Sequence, residues 1–226
     1  MCNSLRKNNP LHTYLINDYP IKSANAERDL GITVDNKLVF DSHVTALLPK
    51  LYSLARRFFL TFKSRSPKIY SKLFVYLYPI LVYGLPVWYP RFNKDLNKLC
   101  KFLNYYSKLV YIKCKLQHEK SMCRLNRLHI PTLNEIFLRA GLAYMYKVLH
   151  NLVDKPSYFP SLKESRNRGY SLKLSVPFCN GELRKSFFCV RLISTWNSLP
   201  DYVVSSSSLT LFKSFLRSLH LSEPDA

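Results

Sequence analysis

Along most of the chain after residue 41, hydrophobic residues recur every three or four positions, which is typical of helices with one buried face. Residues 92–115 show this spacing most clearly. If they form a helix, their apolar side chains fall on one side of it: Phe92, Leu96, Leu99, Leu103, Tyr106 and Val110. The pattern therefore predicts a long helix over about 92–115 with one side buried.

Two further helices are predicted upstream of this segment. The first follows Asp41 or Ser42, either of which can act as the N-cap, and Pro49 inside it predicts either a kink or a later start. The second begins with Ser66 as the cap and Pro67 in the first helical position, where proline is favoured, and runs to residue 79. Both segments keep the apolar spacing of a helix with a buried side.

Helices are also predicted downstream. Thr132 and Glu135 have the spacing of a capping box, and the apolar pattern after them continues to about residue 152. Residues 154–183 are rich in proline, serine and arginine, which predicts an extended or looped connection. Two shorter helices are expected near residues 184–199 and 209–219.

The first 36 residues follow a different pattern. The pair Asn17-Asp18 separates residues 14–16 from residues 19–21, as in a β-hairpin. Residues 30–34 predict a third strand, closed by a turn at Asp35 and Asn36. The expected fold class is therefore mainly α with a small N-terminal antiparallel β piece (α+β).

Positive charge is concentrated in the middle of the chain. Residues 37–129 contain 18 Lys and Arg against three acids, Asp41, Asp95 and Glu119, so this block carries +15 of the net charge of +20. Such a concentration on helical segments is typical of proteins that bind polyanions, most often nucleic acid. We therefore expect RNA, DNA or an RNA–DNA hybrid as the partner.

Lysines follow one side of the predicted 92–115 helix, opposite its apolar face, within about 100° of one another. With basic residues of the upstream segments they form the predicted nucleic-acid-binding set: Lys94, Lys98, Lys101, Lys108, Lys115, Arg56, Arg57, Lys63, Arg65 and Lys68. The alternative is an ordinary solvated face. The near absence of acids counts against it, because soluble surfaces normally intersperse both signs.

Aromatic residues could add base stacking to these charges if they are exposed. The candidates are seven tyrosines of the same segments: Tyr105, Tyr106, Tyr111, Tyr70, Tyr76, Tyr78 and Tyr83. We favour the alternative, in which these tyrosines belong to the core. Trp88, Trp196 and the pair Phe187-Phe188 are likewise expected to anchor the core, because each lies beside apolar neighbours.

No complete active site is predicted. The 14 acids include no close pair that could hold two metal ions, and there is no phosphate-binding glycine motif or nucleophile elbow. Cys114, His118, Cys123 and His129 are potential zinc ligands within 16 residues, but they lack CxxC pairs, which favours chance placement. We expect no metal and no cofactor in this chain.

The cysteines and the longest apolar run bear on the location of the protein. Six cysteines at irregular spacing, with no secretory pattern over residues 1–9, predict reduced thiols in an intracellular protein. Residues 73–90 are uncharged, but Pro79, Gly84, Pro86 and Pro90 interrupt them. A buried helix and a turn are therefore predicted instead of a membrane span.

Three blocks of sequence span nearly the whole chain in the order found in one known family. Residues 28–35 (RDLGITVD) are followed by residues 38–44 (LVFDSHV), the second block is residues 77–88 (LYPILVYGLPVW), and the third is residues 184–200 (RKSFFCVRLISTWNSLP) followed by Phe212-Lys213. These blocks resemble the region after the catalytic palm in reverse transcriptases of non-LTR retrotransposons, the LINE elements of the jockey and chicken-repeat type.

The resemblance implies a domain layout. Residues 1–36 would be a remnant of the palm, 37–90 thumb-like helices, 91–153 a basic helical region, and 154–226 a loop-rich and helical C-terminal region. The family's catalytic aspartates lie upstream of the part that matches residue 1, so no catalytic residue carries over and Mg²⁺ is expected only for that palm. The resemblance also implies a nuclear location, with the palm and endonuclease parts of the parent polyprotein as further partners.

Two functions follow as alternatives. The first is a truncated RNA-directed DNA polymerase that lacks the palm aspartates, retains the nucleic-acid-binding thumb and C-terminal region, and is inactive alone. The second is a co-opted, stand-alone basic protein that binds RNA or DNA. An intact enzyme of another type is a third possibility, and the absence of an acid–base or metal constellation counts against it.

Overall fold

The computed structural model of the protein describes residues 13–22, 24–156, 159–162, 172–179 and 181–219. The chain divides into two compact units, Met1–Leu128 and His129–Ala226. Two small antiparallel sheets near the N-terminus and a predominance of helices confirm the predicted fold class. Part of the loop predicted over 154–183 lies outside the described residues, and the palm and thumb assignments stay predictions.

The first hairpin is the predicted one. Strands β1 (Leu15–Ile16) and β2 (Tyr19–Pro20) pair antiparallel. Asn17 and Asp18 between them have φ values of 47° and 64°. A two-residue turn of this kind needs positive φ at both positions, which asparagine and aspartate tolerate. Both strands are exposed over their whole length.

The second hairpin corrects the sequence-based prediction. Strand β3 (Ala26–Asp29), which was not predicted, pairs with β4 (Ile32–Asp35). Leu30 and Gly31, expected to open a strand, instead form the turn with φ values of 44° and 86°. Strand β3 was missed because its sequence, AERD, contains no β-branched or aromatic residue and so carries no strand propensity.

Asp35 connects this hairpin to the first long helix. Its carboxylate accepts hydrogen bonds from the backbone N–H groups of Lys37, Val39 and Phe40, the last at 2.7 Å. Burial alone would raise the pKa of Asp35, but these donors outweigh it and lower the pKa. The N-cap of the helix is Phe40 in the left-handed conformation, so the predicted caps Asp41 and Ser42 lie in the first turn instead.

Helix α1 (Asp41–Thr61) continues through Pro49, so the alternative in which it begins at that proline is wrong. Near its start, the buried His43 ring lies 4.9 Å from the Trp88 ring and its Nδ1 accepts from the Thr33 N–H at 3.3 Å. Burial, followed by the charges of Lys50 and Arg28, lowers the pKa of His43. The neutral ring therefore joins α1 to the second hairpin.

The second predicted helix is divided into several short ones. Pro67 opens it as predicted, although the Ser66 side chain makes no capping hydrogen bond. Pro79, expected to end this helix, instead lies in the first turn of another, where a missing N–H costs little. The segment contains α2 (Pro67–Leu73), a 3₁₀ helix (Phe74–Tyr76), α3 (Tyr78–Val82) and α4 (Leu85–Trp88).

Helix α5 (Asn93–Cys114) packs parallel to α1. Lys94 at its start contacts Asp41 at the start of α1, at 3.5 Å. Near the other end, Lys113 Nζ donates to the Phe59 carbonyl at 3.1 Å. This last bond places a cation at the C-terminal end of α1, where the helix dipole favours it.

A short helix, α6 (Ser121–Arg127), lies in the connection after α5 and was not predicted. In the second unit, α7 (Leu133–Leu149) begins with the predicted capping box: Thr132 Oγ1 accepts from the Glu135 N–H, and the Glu135 carboxylate accepts from the Thr132 N–H. The helix ends at Leu149, three residues before the predicted end. Shorter helices follow: α8 (Glu182–Lys185), α9 (Phe188–Asn197), α10 (Asp201–Val204) and α11 (Leu209–Ser218).

Among the described residues, none of the helices combines the length and the hydrophobicity that crossing a lipid bilayer requires.

Candidate nucleic-acid interface

The predicted lysine face lies on the solvent side of α5. Lys94, Lys101 and Lys108 are exposed and Lys98 is half-buried, while the opposite side of the helix is in the core. Lys115 is exposed just beyond the helix, with φ of 56°. Phe92, predicted to be buried, is 41% exposed because it precedes the helix as its N-cap.

Two of the five lysines are held by acids. Lys94 pairs with Asp41 at 3.5 Å, and Lys98 Nζ lies 2.7 Å from Asp95 Oδ1. The Asp95 side chain is 1% exposed, so a partner charge is needed to offset the cost of burying its carboxylate. We infer that Lys98 serves the fold at least as much as the surface.

Lys101 and Lys108 differ from that pair. Within the described part of the chain, neither lies at ion-pair distance from a carboxylate. Tyr105 lies between them, four residues after one and three before the other, so the three side chains share one face of α5. Its hydroxyl accepts a long hydrogen bond, 3.5 Å, from Nε of Arg56 on α1.

Arg56, Lys101, Tyr105 and Lys108 thus form one continuous patch, which we call the cationic surface. The Tyr105 ring is held by Tyr52, with ring centroids 4.9 Å apart at 66°. Because Nε of Arg56 is directed at the tyrosine hydroxyl, its terminal nitrogens remain as donors that can grip an anion in a bidentate manner. The patch contains three cations from two packed helices.

The remaining predicted residues are exposed, and none of the hydrogen bonds or ion pairs found among the described residues joins them to this surface. Arg57 follows Arg56 and therefore lies about 100° around α1. Lys63 and Arg65 lie in the connection before α2, and Lys68 lies in its first turn. Their assignment to a nucleic-acid interface stays a prediction.

Several cations of the basic block have structural roles that sequence reasoning missed. Arg124 is 5% exposed, and its guanidinium donates to Glu119 O at 2.5 Å, to Ser107 Oγ at 3.3 Å and to Asn104 Oδ1. The bonds to Ser107 and Asn104 fasten α6 to α5, and the bond to Glu119 joins α6 to the connection that precedes it. Arg127 on the same helix pairs with the Glu119 carboxylate at 2.6 Å.

Glu119 is also held by a second neighbour. A hydrogen bond from the Tyr111 hydroxyl, followed by the contact with Arg127, lowers the pKa of Glu119. All three acids of the basic block, Asp41, Asp95 and Glu119, therefore contact a Lys or Arg side chain of that block. Asp95 and Lys98 have the i,i+3 spacing of a helical ion pair, whereas nothing in the sequence marks Asp41 and Lys94, which lie on different helices. Nor does it mark the bonds of Arg124 to α5 residues 17 and 20 positions away.

The seven candidate tyrosines divide into three groups by exposure. Tyr70, Tyr106 and Tyr111 are buried, as expected, whereas Tyr76 is 64% and Tyr83 58% exposed, against the prediction that they belong to the core. Two more, Tyr78 and Tyr105, are half-buried.

The predicted core anchors are confirmed with one exception. Trp88, Trp196 and Phe188 are buried. Phe187 is 46% exposed because it is the N-cap of α9, one residue before the buried face begins.

Neither a metal cluster nor a disulfide is found in the described ranges. No three His, Cys, Asp or Glu side chains of those ranges lie close enough to hold a metal ion. Cys100, Cys114, Cys123, Cys179 and Cys189 are free thiols. Burial raises the pKa of Cys189 to about 11, so its thiol is protonated at neutral pH.

The chain is similar to two curated proteins. It is 28% identical to the uncharacterized protein B0403.1 of Caenorhabditis elegans over 145 residues, which cover 63% of this chain and 71% of that protein. It is 26% identical to a probable RNA-directed DNA polymerase from transposon X-element of Drosophila melanogaster over 114 residues. The second match covers 49% of this chain but only 12% of the polymerase.

No model of a known protein family matches the chain. No solved structure matches it either. The partial similarity to the transposon polymerase, which agrees with the resemblance seen in the three sequence blocks, supports a retrotransposon-related origin of this chain.

Proposed function

We propose that this protein holds nucleic acid through the cationic surface and derives from the thumb and C-terminal region of a non-LTR retrotransposon reverse transcriptase. The observation that carries the proposal is the grouping of Arg56, Lys101 and Lys108 around Tyr105, with no described carboxylate at ion-pair distance from either lysine. RNA, DNA and an RNA–DNA hybrid all present the phosphate backbone that such a surface would contact.

The geometry suits the phosphate backbone better than base edges. Lys101 and Lys108 are seven residues apart, which places them about 10.5 Å apart along the helix axis. Lysine acts as a mobile point charge and carries no base preference, whereas the guanidinium of Arg56 can bind one phosphate with two parallel bonds. We therefore expect binding with little sequence preference.

A second candidate function is a stand-alone binding protein. The match to B0403.1 covers most of a protein comparable in length to this chain, and not a small part of a polyprotein. Both functions use the same surface. They differ in whether palm and endonuclease domains of a polymerase are also partners.

The experiment compares two triple variants of the full chain. Arg56→Gln/Lys101→Gln/Lys108→Gln removes the cationic surface, and Lys37→Gln/Lys50→Gln/Lys213→Gln removes the same charge at exposed positions elsewhere. Binding of a labelled RNA–DNA hybrid is followed by fluorescence anisotropy over a salt series. We expect the first variant to lower the slope of log K against log[salt] by up to about 2.7, three contacts at about 0.9 each.

The control triple should keep the affinity and the slope close to those of the parent protein. Equal losses in both variants would mean that only the net charge matters. An unchanged slope in the first variant would show that the cationic surface does not contact the nucleic acid.

A further inference from the structure

Helix α2 and the 3₁₀ helix that follows it form one amphipathic segment. Tyr70, Leu73, Phe74 and Leu77 are buried on one side. Five residues of the other side are exposed and fall within about 120° of one another when placed on a helix: Lys68, Ile69, Lys72, Val75 and Tyr76. The solvent side of this segment therefore combines two cations with apolar and aromatic side chains.

Tyr76 is the large side chain of this face. It is 64% exposed, and one aromatic neighbour supports it: its ring centroid lies 6.1 Å from that of Phe58 on α1, with the planes at 61°. Tyr70, six residues earlier, stacks inside the core on Phe59 at 4.7 Å. Of two tyrosines on one short segment, only one is therefore available to an external ligand.

Along the chain, the charges on either side of Tyr76 have a single sign. Lys72 lies one helical turn before it and Lys68 two turns before it, and Lys63 and Arg65 precede the helix. The sequence contains no acid between Asp41 and Asp95. A face of this kind repels basic ligands and attracts anionic ones.

We propose that this face, Lys68, Lys72 and Tyr76, is a second binding surface that takes single-stranded nucleic acid by stacking one base on Tyr76, while the two lysines contact the flanking phosphates. The inference rests on the proposed nucleic-acid function and names the form of the ligand. An aromatic platform beside cations is how strands are bound without sequence preference, and bases paired in a duplex are not open to such stacking.

An anionic membrane is the main competing partner for cations mixed with apolar side chains. Membrane-surface helices bury a long apolar face in the headgroup region. Here α2 has only seven residues, and the exposed apolar side chains beside Tyr76 are Ile69 and Val75. The exposed apolar side chains of this face are few for binding a lipid surface, whereas one tyrosine ring is sufficient to stack one base.

This second binding surface, which we call the platform, is separate from the cationic surface. Phe58, which contacts Tyr76, follows Arg56 by two residues and so lies about 160° away around α1. The two surfaces therefore adjoin different sides of α1, and their contributions to binding can be measured independently.

The test uses the full chain, a labelled oligothymidylate and a labelled duplex. We expect Tyr76→Ala to weaken oligothymidylate binding by roughly 5-fold or more and to leave duplex binding unchanged. Tyr76→Phe, which keeps the ring, should bind like the parent protein. Tyr202→Ala is the matched control, since Tyr202 is 55% exposed and contacts Phe215 edge-on at 5.3 Å, but lies beside Asp201 instead of lysines.

The double variant Lys68→Gln/Lys72→Gln tests the phosphate contacts separately, because it leaves the aromatic contacts of Tyr76 intact. We expect it to weaken oligothymidylate binding and to lower the salt slope by up to about 1.4, two contacts at about 0.7 each. Circular dichroism of every variant confirms that it is folded.

The outcomes separate this inference from the proposed function. If Tyr76→Ala binds oligothymidylate like the parent while the Arg56/Lys101/Lys108 variant loses affinity, the platform is refuted and the proposed function stands. If neither variant loses affinity for any nucleic acid, both are refuted. Binding to vesicles of phosphatidylserine and phosphatidylcholine that requires Tyr76, without binding to the oligothymidylate, overturns the inference in favour of a membrane.

Discussion

Helices α5 and α7 are the longest helices of their respective units, and their surroundings differ. Helix α5 is buried on one side and carries lysines on the other. Helix α7 has buried residues around its whole circumference: Leu133, Ile136, Phe137, Leu138, Gly141, Leu142, Ala143, Met145, Tyr146 and Val148. Both have an acid in the first turn and a lysine in the last.

The difference shows where charge is dispensable for the fold. On α7, Thr132 bonds to Glu135 within the first turn and Tyr146 bonds to the Ser206 carbonyl of the same unit. The lysine side of helix α5 faces solvent, and the packing of the helix depends on its opposite side. Its unpaired lysines can therefore be kept for binding, whereas changes on α7 act on stability.

The largest effect is expected in the last turn of α7. Tyr146 is 2% exposed, stacks on Phe212 at 4.5 Å and bonds to the Ser206 carbonyl at 2.6 Å. We expect Tyr146→Ala to lower the free energy of unfolding by about 3–5 kcal/mol. Tyr146→Phe, which loses only the hydrogen bond, should cost about 1 kcal/mol.

The two tryptophans allow the units to be followed separately in urea. Trp88 is buried in the first unit and Trp196 in the second. The fluorescence of each tryptophan can be recorded in a variant in which the other tryptophan is replaced by phenylalanine. For Tyr146→Ala the transition reported by Trp196 should shift, and a shift confined to Trp88 would contradict the assignment of Tyr146 to the core of the second unit.

The next effect concerns a cation that belongs to the fold. Arg124→Met removes two hydrogen bonds that fasten α6 to α5 and a third to the Glu119 carbonyl, and it leaves the buried Ser107 hydroxyl without that donor. We expect a loss of about 2 kcal/mol in the free energy of unfolding. Arg127→Met on the same helix removes an exposed ion pair, which solvent screens, and should cost clearly less. Equal effects would show that burial does not separate the two arginines.

A smaller effect is expected at the helix caps. Thr132→Ala removes the capping box of α7 and should cost about 1 kcal/mol. Ser66→Ala is the control, because Ser66 occupies the N-cap of α2 without a capping hydrogen bond, and we expect its effect to be close to zero. Urea denaturation with the two tryptophan reporters measures both. A larger loss of stability for Ser66→Ala than for Thr132→Ala would contradict the assignment of the stabilising cap to Thr132.

The smallest effect on stability is expected for the unpaired lysines of α5. Lys101→Ala and Lys108→Ala should change the free energy of unfolding by no more than about 0.5 kcal/mol, since neither lysine has a described carboxylate partner. The same urea measurement applies. A loss comparable to that of Arg124→Met would mean that these lysines also serve the fold.

Local signals were sufficient for much of the fold. The turn at Asn17 and Asp18, the start of α2 at Pro67 and the capping box at Thr132 depend on residues next to one another in the chain, and all three occur as predicted. Strand β3 was missed because its sequence carries no strand propensity, and helix α6 because seven residues are too few to show a helical apolar repeat. Their neighbours stabilise them.

The candidate site was predicted only as a set of cations. Helical spacing placed the lysines of α5 on one face, and the structure agrees. The helical spacing alone could not establish that Lys94 and Lys98 are paired or that Arg56 adjoins Tyr105. Nor could it establish that Tyr76 is exposed while Tyr70 is buried. These facts depend on how α1, α2 and α5 pack.

The sequence by itself determined the helical fold class, the excess of positive charge in residues 37–129 and the face of α5 on which its lysines lie, because periodicity and composition act locally. Only the tertiary structure decided which cations serve the fold and which remain for a partner. The physical reason is that a cation is neutralised or bonded within the fold when a carbonyl or carboxylate from a distant part of the chain lies within bonding distance, as at Lys113 and Lys94.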